Sequence, residues 1–229
     1  MYQSIFFVNF ATVRPVPGSY DQYCPIARSL DVLGDRWTLL VLRELSLGPQ
    51  RFTDLRRNLP GIPPNVLSQR LKRLVDDGIV TVEELPAPAA RSVYTLTERG
   101  REVRPVLRAL VRFGTPDLAP ATPERSPRPG TVAPVVFVSW FDPAEAARID
   151  VDERYDVVVD GVVQHLSSRR PSAPRRVDGD PAVTVEGPAW AFARLRQGET
   201  LDDLAADGTL EVTGTKAART RFRRLYALT

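Results

Sequence analysis

Asn65, Ser68, Gln69, Lys72 and Arg73 recur at spacings of three and four residues in a stretch that also carries Leu67, Leu71 and Leu74. On a helix of 3.6 residues per turn the leucines fall in one narrow arc, with Val75 beside them. The polar set then lies opposite, Ser68 at its edge. Such side chains can read the edges of bases: amides pair with adenine, and lysine or arginine with guanine. An amphipathic helix with a merely solvated polar face gives the same pattern. Its neighbours weigh against that bland reading. Arg51, Arg56 and Arg57 occupy the preceding segment, where phosphate contacts belong, and Arg91 sits near the tip of an expected hairpin. The free N–H groups at the start of the helix suit a phosphate. Asp76 and Asp77 close its far end, and Glu83 and Glu84 are expected to face away from nucleic acid.

Other reactive residues are sparse. Cys24 is the single cysteine, so no intrachain disulfide can form. A lone thiol at a helix start is placed for oxidant sensing, but a small covered residue is the commoner role. His165 is the single histidine. With no second histidine and no cysteine nearby, no metal site is expected, and His165 reads as outward-pointing on a strand. No Ser/His/Asp set can be assembled, and no glycine-rich phosphate loop is present. The sequence therefore predicts neither an enzyme nor a cofactor. Trp140, Phe141, Trp190, Phe192, Leu195, Phe222 and Leu225 could line an apolar pocket. At helical spacing such residues are more often core.

The elements that must position these groups follow from caps and breakers. Pro25 opens a helix through Leu33, stopped by Gly34. Asp35 is expected to cap a second, largely buried helix to about Leu47. Asp35-Arg36-Trp37 reads as structural, with Trp37 packed between helices. Thr53 is expected to cap a third helix to Asn58. A fourth runs from Pro63 or Pro64 to Asp77 and closes at Gly78. Strands are expected at Ile79 to Glu84 and Ser92 to Leu96, joined by a tip from Leu85 to Arg91. Thr97 caps a helix from Glu98 to about Phe113. Farther on, Val135 to Trp140, Tyr155 to Val159, Val162 to Leu166, Ala182 to Glu186 and Leu210 to Thr213 read as strands, with a hairpin turn at Asp160-Gly161. Helices are expected after Asp142, from Pro188 to Gln197, at Thr200 to Ala206 and from Lys216 to about Tyr226.

Length and composition fit this plan. The chain has 229 residues, 43% hydrophobic and 26% charged, enough for two domains of about 100 residues. The formal charge of +3 permits a nucleic-acid partner without demanding one. The bases are nearly all arginine, which suits phosphate and guanine but also reflects a GC-rich codon usage. No apolar run reaches the roughly 18 residues that cross a bilayer, so no membrane partner and a reducing, cytoplasmic setting are expected. Residues 1–19 read as an N-terminal arm, 20–118 as one domain, 119–134 as a proline-rich linker or strap, and 135–229 as a second domain. The basic, proline-containing run from Arg169 to Arg176 reads as an exposed loop.

The ordered segments Tyr23-Cys24-Pro25-Ile26-Ala27, Leu33 to Leu45, Gly48 to Arg56, Leu67-Ser68-Gln69-Arg70-Leu71 and Tyr94 to Gly100 resemble the HxlR family of bacterial, MarR-like winged helix-turn-helix regulators. The resemblance covers about Tyr20 to Gly114. It implies a homodimer on an inverted repeat of double-stranded DNA. Its recognition helix would be Asn65 to Asp77 and its wing tip near Pro86 to Arg91, with dimer contacts from the first helix and from Glu98 to Phe113. The order of elements in 135–229 resembles a sterol-carrier-protein domain, which implies an α/β fold on a mixed or antiparallel sheet and a small apolar ligand. The expected fold class is therefore α+β, and the expected function a DNA-binding transcriptional regulator open to control by that ligand. The alternative is an apolar-ligand carrier whose DNA-binding half has degenerated.

Overall fold

A computed structural model describes residues 19–85, 91–169 and 179–228, without the side chains of Leu85 and Arg91. The expected N-terminal arm before Ser19, the expected wing tip at 86–90, the Arg91 side chain and all but the first residue of the loop expected at Arg169 to Arg176 lie outside the described residues. The chain divides into two units, Met1–Gly100 and Arg101–Thr229.

The first unit begins with helix α1 (Pro25–Leu33), stopped at Gly34, and helix α2 (Thr38–Ser46). Asp35 does not cap α2. The residue at the cap is Trp37, held at φ 79° with no side-chain cap. The carboxylate of Asp35 instead takes Arg70 and Arg73. Helix α3 (Phe52–Asn58) begins one residue earlier than expected, so Thr53 lies inside it and no side chain caps it. Helix α4 (Pro64–Asp76) buries Leu67, Leu71 and Leu74 and leaves Val75 exposed. Gly78, at φ 68°, ends it: Gly78 N–H bonds Val75 O and Ile79 N–H bonds Leu74 O. That is the paired closure in which glycine supplies the left-handed residue.

Strands β1 (Val80–Leu85) and β2 (Arg91–Leu96) form an antiparallel ribbon. Gln50 joins it through reciprocal backbone bonds with Tyr94, at 3.0 and 2.8 Å. Thr97 caps the short helix α5 (Glu98–Arg101) through Gly100 N–H. An added Cβ on Gly100 would sit 2.1 Å from the Ile79 carbonyl, so the ribbon and α5 approach at a distance only glycine allows. Helix, helix, turn, helix and ribbon are the parts of a winged helix-turn-helix.

The second unit begins with α6 (Val103–Gly114) and a 3-10 turn at Thr115–Asp117. Within the proline-rich stretch, Gln197 bonds both Ala119 O and Ala121 N–H, at 2.9 Å each, and Arg194 bonds Ala121 O. Helix α7 (Pro129–Val132) then runs into a π turn (Ala133–Phe137) and a 3-10 turn (Val138–Trp140). The strand expected at Val135 to Trp140 is thus helical. Val132, Ala133, Val136 and Phe137 are buried together at helical spacing, and burial of that face outweighs the β-branched composition. Gln164 fixes the run, accepting from Ala133 N–H at 3.0 Å and donating to Pro129 O at 2.7 Å.

Helix α8 (Pro143–Arg148) is capped by Asp142. Strands β3 (Arg154–Val159) and β4 (Val162–Ser167) form a hairpin through Asp160 and Gly161, both at positive φ, as a tight two-residue turn requires. Strand β5 (Val183–Gly187) runs parallel to β3, and β6 (Glu211–Gly214) antiparallel to β5, giving the mixed order β4-β3-β5-β6. Helices α9 (Ala189–Arg194), α10 (Leu201–Ala206) and α11 (Lys216–Leu225) complete the unit. Phe137, Tyr155, Phe222 and Tyr226 interlock at its centre, with ring centroids 5.1 to 6.3 Å apart.

Candidate nucleic-acid interface

Helix α4 presents its two faces as the leucine spacing requires. Leu67, Leu71 and Leu74 are at most 2% exposed, while Asn65, Ser68, Gln69 and Lys72 lie on the exposed side. Lys72 pairs with Asp76 one turn on, at 2.7 Å and with both side chains well exposed. Such a pair is worth little in water and exchanges readily. Arg73 is placed differently from the others: Nη1 donates to Asp35 at 3.0 Å and Nη2 to the Asp31 carbonyl at 2.7 Å. It is half-buried and ties α4 to the end of α1.

On α3, Arg56 and Arg57 are exposed. Arg57 pairs with Asp54 at 3.0 Å. Arg51, just before the helix, is half-buried. One further cation stands nearby. Arg36 is exposed and lies over the Trp37 ring, 5.7 Å from its centroid. Arg36, Trp37, Gly61, Pro63, Val66 and Arg70 line a shallow concavity at the start of α4. Sequence reasoning assigned Arg36 a structural part. Its signal was the positive φ of Trp37, which turns the chain there and which no residue pattern displays. The ribbon contributes Glu83 and Glu84, both exposed, and Glu84 accepts from Ser92 Oγ.

Cys24 is half-buried at the N-cap position of α1. His165 is only partly outward: its side chain is 29% exposed and Nδ1 meets Asp156 Oδ1 at 2.8 Å. Among the described residues no cluster of three or more His, Cys, Asp or Glu could hold a metal, and no helix is long and apolar enough to cross a membrane. Of the apolar set in the second unit, Phe141, Phe192, Leu195, Phe222 and Leu225 belong to the close-packed core, with Trp190 packed against it. Trp140 is half-buried and lines a surface concavity instead.

A family model described as HxlR-like helix-turn-helix matches residues 32–121. An HTH-type transcriptional regulator of Synechocystis is 41% identical over 92 residues, covering 40% of this chain and 68% of that protein. The HTH-type transcriptional regulator YvaP of Bacillus subtilis is 33% identical over 101 residues, covering 44% of this chain and 94% of its own. Among solved structures, the reduced form of the transcriptional regulator YodB from B. subtilis is 31% identical, with a TM-score of 0.38 over 44% of this chain and 100% of that one. With an exposed polar face on α4 and relatives matched over most of their own length, the chain belongs to the HxlR-like helix-turn-helix family of transcriptional regulators.

Proposed function

We propose that this protein is a homodimeric, cytoplasmic regulator, not an enzyme, that binds an inverted repeat in double-stranded DNA. The observation that carries the reading is the solvent-facing row Asn65, Ser68, Gln69 and Lys72 opposite three buried leucines. Inserted by its N-terminal half, α4 offers these side chains to base edges in the major groove. Arg51, Arg56 and Arg57 contact phosphates, Arg36 adds a further contact, and Arg91 serves the wing. Arg73 acts as a strut on Asp35 that sets the pitch of α4. The dimer reading draws on two exposed apolar stripes: Ile26 and Leu30 on α1, and Val106, Leu110 and Phe113 on α6, with Ile26 72% and Phe113 80% exposed.

Selection of bound sequences from random duplex DNA tests the reading. The expected product is an inverted repeat whose half-site centres lie about 34 Å apart, one helical turn. Enrichment of no sequence, or of an unpaired half-site alone, overturns it.

Residues 135–229 carry a second proposal, a sterol-carrier-like domain that takes a small apolar ligand. Its support is the order of a hairpin, a strand parallel to its first arm, two helices, an edge strand and a final amphipathic helix. Binding at Phe141, Phe192, Leu195, Phe222 and Leu225 requires the packed aromatic cluster to part. A ligand controls DNA affinity only by binding two arrangements of the protein unequally. Equal affinity with and without operator removes that control. Salt separates the regulator from a plain carrier: phosphate-mediated binding weakens steeply as salt rises, whereas binding in an apolar interior hardly responds.

A further inference from the structure

In the second unit a concavity of about 420 Å³ is bounded by Thr115, Pro116, Leu118, Pro120, Trp140, Arg196 and Gln197. Its volume falls within the range of roughly 300 to 1,000 Å³ usual for small-molecule sites. The walls are apolar in Pro116, Leu118, Pro120 and the Trp140 ring, and Leu118 is 61% exposed. Two guanidinium groups attend the ring. Arg196 lies 4.6 Å and Arg112 5.7 Å from its centroid.

Both cations are held by neutral backbone oxygens. Arg112 Nε donates to Ser139 O at 2.7 Å. Arg196 donates to Val136 O and Ala227 O, at 2.7 Å each, and to Tyr226 O. Arg194, Arg221 and Arg223 each find a carboxylate, in Glu199, Glu153 and Asp202. Arg112 and Arg196 have none within ion-pair distance among the described residues. Burial and the neighbouring Arg112 pull the pKa of Arg196 down to about 10. Cation–π contact offsets part of this cost, but among the described residues no carboxylate pairs with either of the two like charges beside this ring.

We propose that this concavity binds a small organic carboxylate with a flat apolar body, the carboxylate drawn to Arg196 and Arg112 and the body laid against Trp140, Leu118 and Pro116. Arg196 already gives Nε, Nη1 and Nη2 to carbonyls and attracts the carboxylate by its charge. Arg112, beside the Trp140 ring at the cavity's edge, donates to Ser139 through Nε alone and presents the planar fork that suits a carboxylate. The site differs from the apolar interior considered above in both place and chemistry. Arg112 lies on the same helix as exposed Val106, Leu110 and Phe113, so occupancy would hold α6 against the Trp140 turn. That consequence rests on the regulator reading, whereas the binding itself does not.

The test is isothermal titration of the full chain with 2-naphthoate and with its neutral analogue 2-naphthamide, in the absence of DNA. The carboxylate should bind saturably, and the amide at least about tenfold more weakly. Arg112→Gln should weaken the carboxylate by a similar factor, and Leu118→Trp, which fills the cavity, should abolish binding while circular dichroism shows an intact fold. Arg196 is spared because its three carbonyl partners make it structural. Equal affinity for acid and amide overturns the proposal, as does unchanged binding in either variant or no saturation at millimolar concentration. Because no DNA is present, failure here leaves operator selection untouched, and failure of operator selection leaves this result standing.

Discussion

Arg73 Nη1 donates to the carboxylate of Asp35 at 3.0 Å, across 38 residues of sequence. The same carboxylate takes Arg70 from the turn above. One acidic side chain therefore fixes two positions of the helix proposed to read DNA. Asp35→Ala should lower stability by roughly 1 kcal/mol, because the pair is partly exposed and water replaces some of what is lost. Operator affinity should fall by more than that, since α4 loses its set angle. Thermal melting and a binding isotherm on the selected operator check both numbers. An operator affinity that holds while the melting temperature drops would remove Asp35 from the positioning role.

Gln69 and Lys72 should carry discrimination, and Arg57 affinity without discrimination. Gln69→Ala with Lys72→Ala is expected to cost roughly 1 to 3 kcal/mol per lost base contact on the operator and little on random DNA. Arg57→Ala should weaken all sequences alike and make the salt slope shallower by about one. Competition titrations at several salt concentrations separate the two behaviours. The same assay extends to Arg91→Ala.

The exposed stripes on α1 and α6 predict a dimer that charge can split. Ile26→Glu combined with Phe113→Glu should shift the protein toward monomer in sedimentation velocity and weaken operator binding. A wild-type chain that sediments as a monomer at micromolar concentration would defeat the dimer reading.

Gly100 offers a stability test independent of function. A Cβ there would lie 2.1 Å from the Ile79 carbonyl. That contact is with backbone, so no side-chain rotation relieves it. Gly100→Ala should cost roughly 2 kcal/mol or more, read as a loss of denaturation midpoint.

Acid should weaken the second unit through Glu153. Hydrogen bonds from Arg221 and Tyr155 hold its carboxyl below the ordinary value of 4.5, against the opposing effect of burial. A carboxylate depressed in the folded state contributes fully above its unfolded pKa. Its contribution fades as pH falls through the lower folded value. Glu153→Gln should therefore be less stable at neutral pH and show a shallower loss of stability below about pH 4.5. Equilibrium unfolding at stepped pH values measures the difference, and parallel curves for the two proteins would exclude the linkage.

Much of this architecture was legible in residue order. The leucine spacing of α4, the breakers Gly34 and Gly78, the cap at Thr97 and the Asp160-Gly161 turn are local signals, and each element formed close to where those signals lie. Two of the misreadings share one cause, which is that distant partners decided the outcome. Asp35 looked like a cap by position, but arginines 35 and 38 residues away claim it. Val135 to Trp140 looked like a strand by composition, but Gln164 on β4 holds the preceding backbone in a helical run. For the same reason Arg73 could not be told from Gln69 by spacing alone, since both point away from the leucine arc. Arg196 gave no warning either, because its partners are backbone carbonyls from two separate segments.

The grip of Gln164 has a mechanical side. One amide reaches both Pro129 and Ala133, so the first turn of the helical run is riveted to a strand. Tension arriving along the chain from Arg128 would pass into the sheet, whose hydrogen bonds share the load, and would not peel the run away turn by turn. Replacing that amide with an aliphatic side chain of equal length would uncouple the two and turn a firm joint into a hinge.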